Sequence, residues 1–557
     1  MMRAICLAFA LLLSTHSAAA QDPDLYEVMQ PVDRPSAEIA IQPDGEDLLV
    51  TIALEDPVST LFLDPADVVR DDALQIETPG LSLSDNTISS SEPFSRVTFR
   101  LVEDLTERDA KYPPFYRVGP GRLIYLQAIY PDQTWWDIEL RWASLPDGWT
   151  RWPDESLPQG YVYIGPDQEI IRAGGAQFVF DGNGSEEFEA EIREMVVGSL
   201  AHLTDMFGMP PETTPFFAAS IIPSDRSFNT GDVTDSAMVG LRFMGEAPDP
   251  TAPGTLSYTR SLVLHEGVHF WNGGVAHFAN GTPMWLHEGG AEYIATLSSY
   301  QLGWTDEEHL RGTFASWLER CRTSLGYWDE VALNDLDFIP SNLRYSCGPL
   351  LHLLGELYLA ETSGGQTVAE TWRDTVAFAA ATDERTYTLE DWVSASGGPE
   401  LLQRPALAAL LATSGPERWD TINSEMARLG VESGEVTNPP LRARTALMFL
   451  IGAQCSELEP GQGYGFYSGP ETYRLDTPPG CGLLTGNPVV ATLGRTPVTT
   501  ISAEDYAHMQ ETCASGGTIA FGKEDGEVID VPCPGPLRDA ATQPSISDLP
   551  DIPAFAR

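Results

Sequence analysis

The sequence predicts a multidomain protein with an N-terminal all-β domain, a central α+β or mainly helical domain and a small C-terminal β-rich domain. Three observations lead there. The chain has 557 residues, more than a single hydrophobic core usually serves. Its early part alternates apolar and polar residues with a period of two. The texture then changes twice, to amphipathic helical segments after Asp181–Gly182–Asn183–Gly184 and back to strands, turns and clustered cysteines from Leu441. The expected boundaries are 1–20 for an export signal, 21–175 for the β domain, 176–440 for the central domain, 441–540 for the C-terminal domain and 541–557 for a tail.

Met1–Ala20 reads as a signal peptide. Arg3 gives the basic start, Ile5–Leu13 the apolar run and Ala18–Ala19–Ala20 a small-residue cleavage site before Gln21. The run is too short to span a bilayer, so the mature chain is expected to be exported, to the periplasm or beyond, with no membrane span. In the β domain Val97, Phe99 and Leu101 alternate with polar residues, as do Ile138, Leu140 and Trp142. That pattern fits half-buried antiparallel strands. Pro113–Pro114 and Gly119–Pro120–Gly121 mark turns, and Leu145–Trp149 the last one.

Ser185–Phe207 reads as an amphipathic helix with Ser185 as N-cap and acidic residues in its first turn. Strand-like runs follow at Phe216–Ile222 and Met238–Met244, then helical segments to about Leu429. Asp548–Arg557 looks like a loose end. Of seven cysteines, Cys6 lies in the signal. The even remainder (Cys321, Cys347, Cys455, Cys481, Cys513 and Cys533) suggests disulfides in an exported chain. The simplest pairing joins Cys321 to Cys347 and leaves four to pair among themselves.

Acidic residues number 81 against 32 basic, a formal net charge of −49, and Lys111 and Lys523 are the only lysines. Nucleic acid is excluded as a partner, because phosphate binding needs a basic surface, and an anionic membrane surface is excluded likewise. The acidity fits solubility in saline surroundings.

Residues 262–272 read LVLHEGVHFWN. On a helix, His265 and His269 share one face, with Cβ atoms roughly 6 Å apart, so both can grip one ion. Glu266 lies about 100° round from His265, beside the ion, where it could hold a water. A catalytic zinc takes three protein ligands and keeps one position open. Pro283–Tyr300 reads as a second helix, with Thr282 as N-cap and Pro283 as first residue. It carries Glu288, with 18 residues between it and His269. Glu292, one turn on, shares the Glu288 face and could orient a liganding histidine. His277 and His287 read as loop and near-site polar residues.

The pattern H-E-x-x-H, then 18 residues, then glutamate in W-L-x-E-G resembles the gluzincin zinc metallopeptidases. HEGVHFWN is similar to the glycyl-aminopeptidase family, whose layout is a β domain, a thermolysin-like α+β catalytic domain and a PDZ domain. The resemblance is sharp over 262–293 and diffuse elsewhere. It implies one zinc ion held by His265, His269 and Glu288, with Glu266 as general base. Metzincins place a third histidine six residues after the second, which here is Val275. Tyr345–Ser346–Cys347–Gly348 is similar to the Tyr-x-x-Gly of gluzincin aminopeptidases, which implies Tyr345 as oxyanion stabiliser. A Cys321–Cys347 bridge would pin that helix start. One departure concerns the acidic motif that binds a substrate's free amine. Its counterpart, Ser236–Ala237–Met238–Val239–Gly240, has Val239 in place of the acid, and the segment is expected as an edge strand for substrate. At the C-terminus, 483–498 and 517–531 resemble strand pairs of a PDZ-like domain.

Zinc-dependent hydrolysis of a peptide or protein substrate is the expected function, as aminopeptidase or endopeptidase. The alternative is a zinc-containing peptide-binding or scaffold protein with little or no turnover, which the missing acid and the PDZ-like segment motivate.

Overall fold

The computed structural model describes residues 34–556, apart from 65–67, 69, 71–72, 85, 104–111, 224–227, 235–236, 251–253, 255, 337–340, 363, 439, 459–462, 470 and 541. The expected signal peptide, 1–20, lies outside the described residues. The fold is multidomain, β-rich towards the N-terminus and then largely helical. It divides into two compact units, one running to Glu103 and including Gln127–Leu145, the other comprising Asp104–Leu126 and Pro146 onwards.

The first unit is a six-stranded sheet in the order Leu74–Ile76, Thr87–Leu101, Asp47–Phe62, Ser36–Asp44 and Asp137–Trp142, with Leu81–Ser84 also on Thr87–Leu101. Strict alternation buries Ala37, Ile39 and Ile41 on one strand and Leu48, Val50 and Ile52 on its neighbour, and Val97, Phe99 and Leu101 join them as their spacing predicts. The hairpin between the first two strands turns at Gly45, whose φ of 65° only glycine adopts without strain.

The second unit holds two further N-terminal sheets. Phe115–Val118, Gly121–Tyr125, Tyr161–Pro166 and Trp149–Trp152 form an antiparallel four-stranded sheet. A five-stranded sheet runs Ile171–Ala173, Ala176–Phe180, Phe216–Ile222, Met238–Met244, Phe228–Thr234. The helix Glu186–Phe207 crosses between two parallel strands of it, as a parallel connection requires. Ser185 caps that helix by accepting the Phe188 N–H at 3.1 Å, and Gly208 closes it at φ 68°. Met238–Met244 pairs on both sides, with Phe216–Ile222 and Phe228–Thr234, so it is no edge strand as expected. Its uninterrupted burial fits an inner position. Among the described residues the outer strands of this sheet are Ile171–Ala173 at one end and Phe228–Thr234 at the other, and the free edge on the side of Met238–Met244 belongs to Phe228–Thr234.

Helices follow at Ser257–His269, Met284–Gln301, Glu307–Leu325, Cys347–Thr362 and Val368–Ala380, packed in one core with the five-stranded sheet. After the helix Pro440–Gln454, five strands order as Gly465–Ser468, Tyr473–Asp476, Val489–Leu493, Thr518–Lys523 and Val528–Pro532, with a helix at Ala503–Ala514 and a separate apolar core. Three disulfides join Cys321–Cys347, Cys455–Cys481 and Cys513–Cys533. The end of the chain is not loose. Thr542–Asp548 pairs with Glu432–Thr437, Ala554 is buried, and the Phe555 ring lies 5.5 Å from that of Phe314. Two short apolar residues sufficed, too few for a periodicity to reveal. Among the described residues no helix is long and apolar enough to cross a membrane.

Candidate metal centre

His265 and His269 leave one face of the helix Ser257–His269, as spacing of four dictates. Glu288 comes from the second turn of Met284–Gln301, which packs against it. The second helix starts one residue later than expected. Pro283 is its cap, and the Thr282 hydroxyl donates instead to the Tyr387 carbonyl at 3.2 Å. The two Nε2 atoms stand 3.3 Å apart, and a Glu288 oxygen lies 3.3 Å from His265 Nε2 and 3.5 Å from His269 Nε2. All three donor atoms fall within 4.8 Å of one another.

The outer nitrogens are also spoken for. His265 Nδ1 faces a Glu292 oxygen at 3.2 Å, an ion-pair contact rather than an aligned hydrogen bond. His269 Nδ1 meets Asn272 Oδ1 at 2.9 Å, while the Asn272 amide donates to the His287 carbonyl at 3.2 Å. Asn272 reaches back because the chain leaves the helix through a π-helical turn, Phe270–Val275, a feature that recurs at functional sites. The Glu266 carboxylate accepts the Val233 N–H at 3.2 Å, which holds it beside the free edge of Phe228–Thr234.

Tyr345 lies between the short helix Ser341–Arg344 and Cys347–Thr362, its ring 5.9 Å from that of His265. Burial, then the negative charge of Glu288, pushes its phenol pKa upward, so it keeps its proton at neutral pH. The placement depends on a close helix crossing. A Cβ on Gly289 would stand 2.4 Å from the Gly348 carbonyl carbon, and one on Gly348 would stand 2.6 Å from the Trp285 carbonyl oxygen. His277 is exposed in a two-residue strand. His287 is buried, stacked on His269 at 4.6 Å, and its Nδ1 lies 2.8 Å from the Tyr387 hydroxyl. Burial, then the charge of His269, lowers the His287 pKa to about 3, so it stays neutral. Asn272, Val233 and Tyr387 escaped sequence reasoning. Only Asn272, inside the quoted Trp–Asn continuation, left a signal there.

The electrostatics of the pocket favour a cation. Burial disfavours charge on His265, yet Glu288, Glu292 and Glu266 outweigh it and hold its pKa well above the usual range. Burial likewise disfavours charge on Glu288, and the two histidines hold its carboxyl well below its usual value. A buried point that stabilises positive charge among two imidazole nitrogens and a carboxylate oxygen suits a divalent metal, zinc by donor type.

No protein-family model matches the sequence, and no curated protein matches it. Among solved structures, the chain is similar to an aminopeptidase N family protein from Idiomarina loihiensis, with a TM-score of 0.53 at 15% identity. The match covers 92% of this chain and 98% of that one. At that identity the likeness is one of fold.

Proposed function

We propose that this protein is an exported zinc metallopeptidase. His265, His269 and Glu288 hold the ion, Glu266 is the general base and Tyr345 donates to the oxyanion. The observation that carries the reading is the convergence of the three donors within 4.8 Å, with Glu266 tethered alongside. The fold likeness to an aminopeptidase N family protein supports it. A donor group of three, among the described residues, favours a shell open to substrate over a closed structural one. The signal-like start and the disulfides support export. The C-terminal sheet and its Ala503–Ala514 helix make up a PDZ-like module in this reading.

Zinc, when bound, would supply Lewis acidity, polarising the scissile carbonyl and making water more acidic. The chain's own residues do the rest. Glu266 takes a proton from the attacking water as its oxygen bonds to the carbonyl carbon. It returns that proton to the amine nitrogen as the C–N bond breaks. Tyr345, kept protonated, donates to the developing oxyanion. Glu292 and Asn272 engage the outer nitrogens of the two histidines, which leaves each Nε2 lone pair directed inward. An extended substrate would add to the free edge of Phe228–Thr234 beside Glu266. Val239 is fully buried in mid-sheet and offers no anchor for a free amine, so internal cuts are expected.

The test is cleavage of a mixed peptide library by the mature protein with zinc, with a chelator, and as Glu266→Gln. We expect internal cuts that the chelator abolishes and that Glu266→Gln, still loaded with zinc, slows by about 100-fold or more. Full cleavage by zinc-loaded Glu266→Gln would overturn the mechanism. A folded, zinc-loaded wild type that cuts nothing would transfer the reading to the peptide-binding alternative.

A further inference from the structure

Each carboxylate around the centre is engaged. Glu288 meets both histidines, Glu292 meets His265, and Glu266 accepts from Val233. The positive group nearby is different. Arg344 ends the short helix before Tyr345, half-buried, with its guanidinium 5.7 Å from the centre of the Tyr345 ring. Among the described residues no carboxylate lies within ion-pair distance of it. Other arginines of the chain do meet a carboxylate, as Arg260, Arg385 and Arg428 do with Glu191, Glu212 and Glu361. The described neighbour of Arg344 is the Tyr345 ring, and that ring faces His265.

We infer that Arg344 determines specificity at this centre by binding a carboxylate of the substrate, through the paired donors with which a guanidinium grips that group. The carboxylate comes from an aspartate or glutamate side chain next to the scissile bond or from the peptide's own C-terminus. The inference rests on the peptidase reading and deepens it by naming the substrate class.

Three peptides of one sequence test it. One is C-terminally amidated with asparagine beside the cut bond, one is amidated with aspartate there, and one keeps asparagine but has a free C-terminus. Zinc-loaded wild type, Arg344→Gln and Arg344→Lys are compared by kcat/KM, with melting curves to establish folding. We expect one carboxylate peptide to outrun the neutral one by about tenfold to a hundredfold, and which one identifies the source. Arg344→Gln should bring the ratio to unity, and Arg344→Lys should keep part of it. A wild-type ratio of unity, or an undiminished ratio in Arg344→Gln, overturns the inference. Should Arg344→Gln fail to fold, the wild-type ratio and its fall in Arg344→Lys decide. If wild type cuts none of the three, the peptidase reading fails separately. Binding of the same peptides to the zinc-loaded protein then reads Arg344, and equal affinity for all three overturns its role.

Discussion

Glu356 sits on Cys347–Thr362, facing the helix of Glu288. One of its oxygens accepts the Val368 N–H at 2.8 Å and the Tyr293 hydroxyl at 3.2 Å. Burial, only partly offset by those donors, raises its pKa to about 7 from 4.5. The folded chain therefore binds this proton more tightly than the unfolded one. The stability it contributes is fully present below about pH 4.5 and is lost as pH rises through about 7, on the order of 3 kcal/mol. Glu356→Gln keeps the shape and has no proton to lose. Urea midpoints at pH 5 and pH 7.5 should fall further for wild type than for this variant, and equal falls would refute the assignment. Residues of this kind explain what could be read in advance. His265 and His269 were legible as neighbours because helical periodicity converts spacing into proximity, and Glu288 was drawn to them by the motif resemblance rather than by periodicity. Glu356 and Tyr387 matter through tertiary neighbours, Tyr387 meeting His287 across a hundred residues, and no local pattern encodes that.

At the scale of elements, the crossing of Met284–Gln301 with Cys347–Thr362 depends on two glycines whose backbones touch. Gly348→Ala should force the helices apart, at a cost of about 1–3 kcal/mol. It should slow cleavage by about tenfold or more through displacement of Tyr345, and zinc content should fall as well to the extent that the Glu288 helix, which Gly348 touches, moves. Gly312→Ala is the internal control. It lies mid-helix with open space where its Cβ would go, and should instead gain about 0.5–1 kcal/mol. Denaturant melts and metal analysis of both variants check this. Cys321–Cys347 fastens the same helix start to Glu307–Leu325. Capped helices were the most legible elements, Glu186–Phe207 almost to the residue. Strands were legible as strands but not by position. The apolar run at Met238–Met244 suits an inner strand, and reading it as an edge overlooked the antiparallel Phe228–Thr234, whose polar and glycine residues hide it.

For the whole molecule, a net charge of −49 is a standing repulsion that added salt screens. The melting temperature should rise as sodium chloride increases from about 0.01 M to about 0.15 M, the range over which the Debye length shrinks from ~30 Å to ~8 Å, and a flat or falling curve would contradict this. The β-rich start and helical middle were legible from periodicity. How the strands of the four- and five-stranded sheets in the second unit pair was not, because alternation announces a strand and leaves its partners unnamed. The corner that brings His265, His269 and Glu288 together has a further consequence for how the chain assembles. Its three donors come from two consecutive helices, so bringing them together closes only a short loop and costs little entropy. Distant pieces such as Thr386–Tyr387 and Thr542–Asp548 can arrive afterwards. Under the proposed function, an ion captured by that corner would take part in folding as well as in hydrolysis, and a chain in zinc-poor surroundings would then lose time in maturation before it lost any turnover.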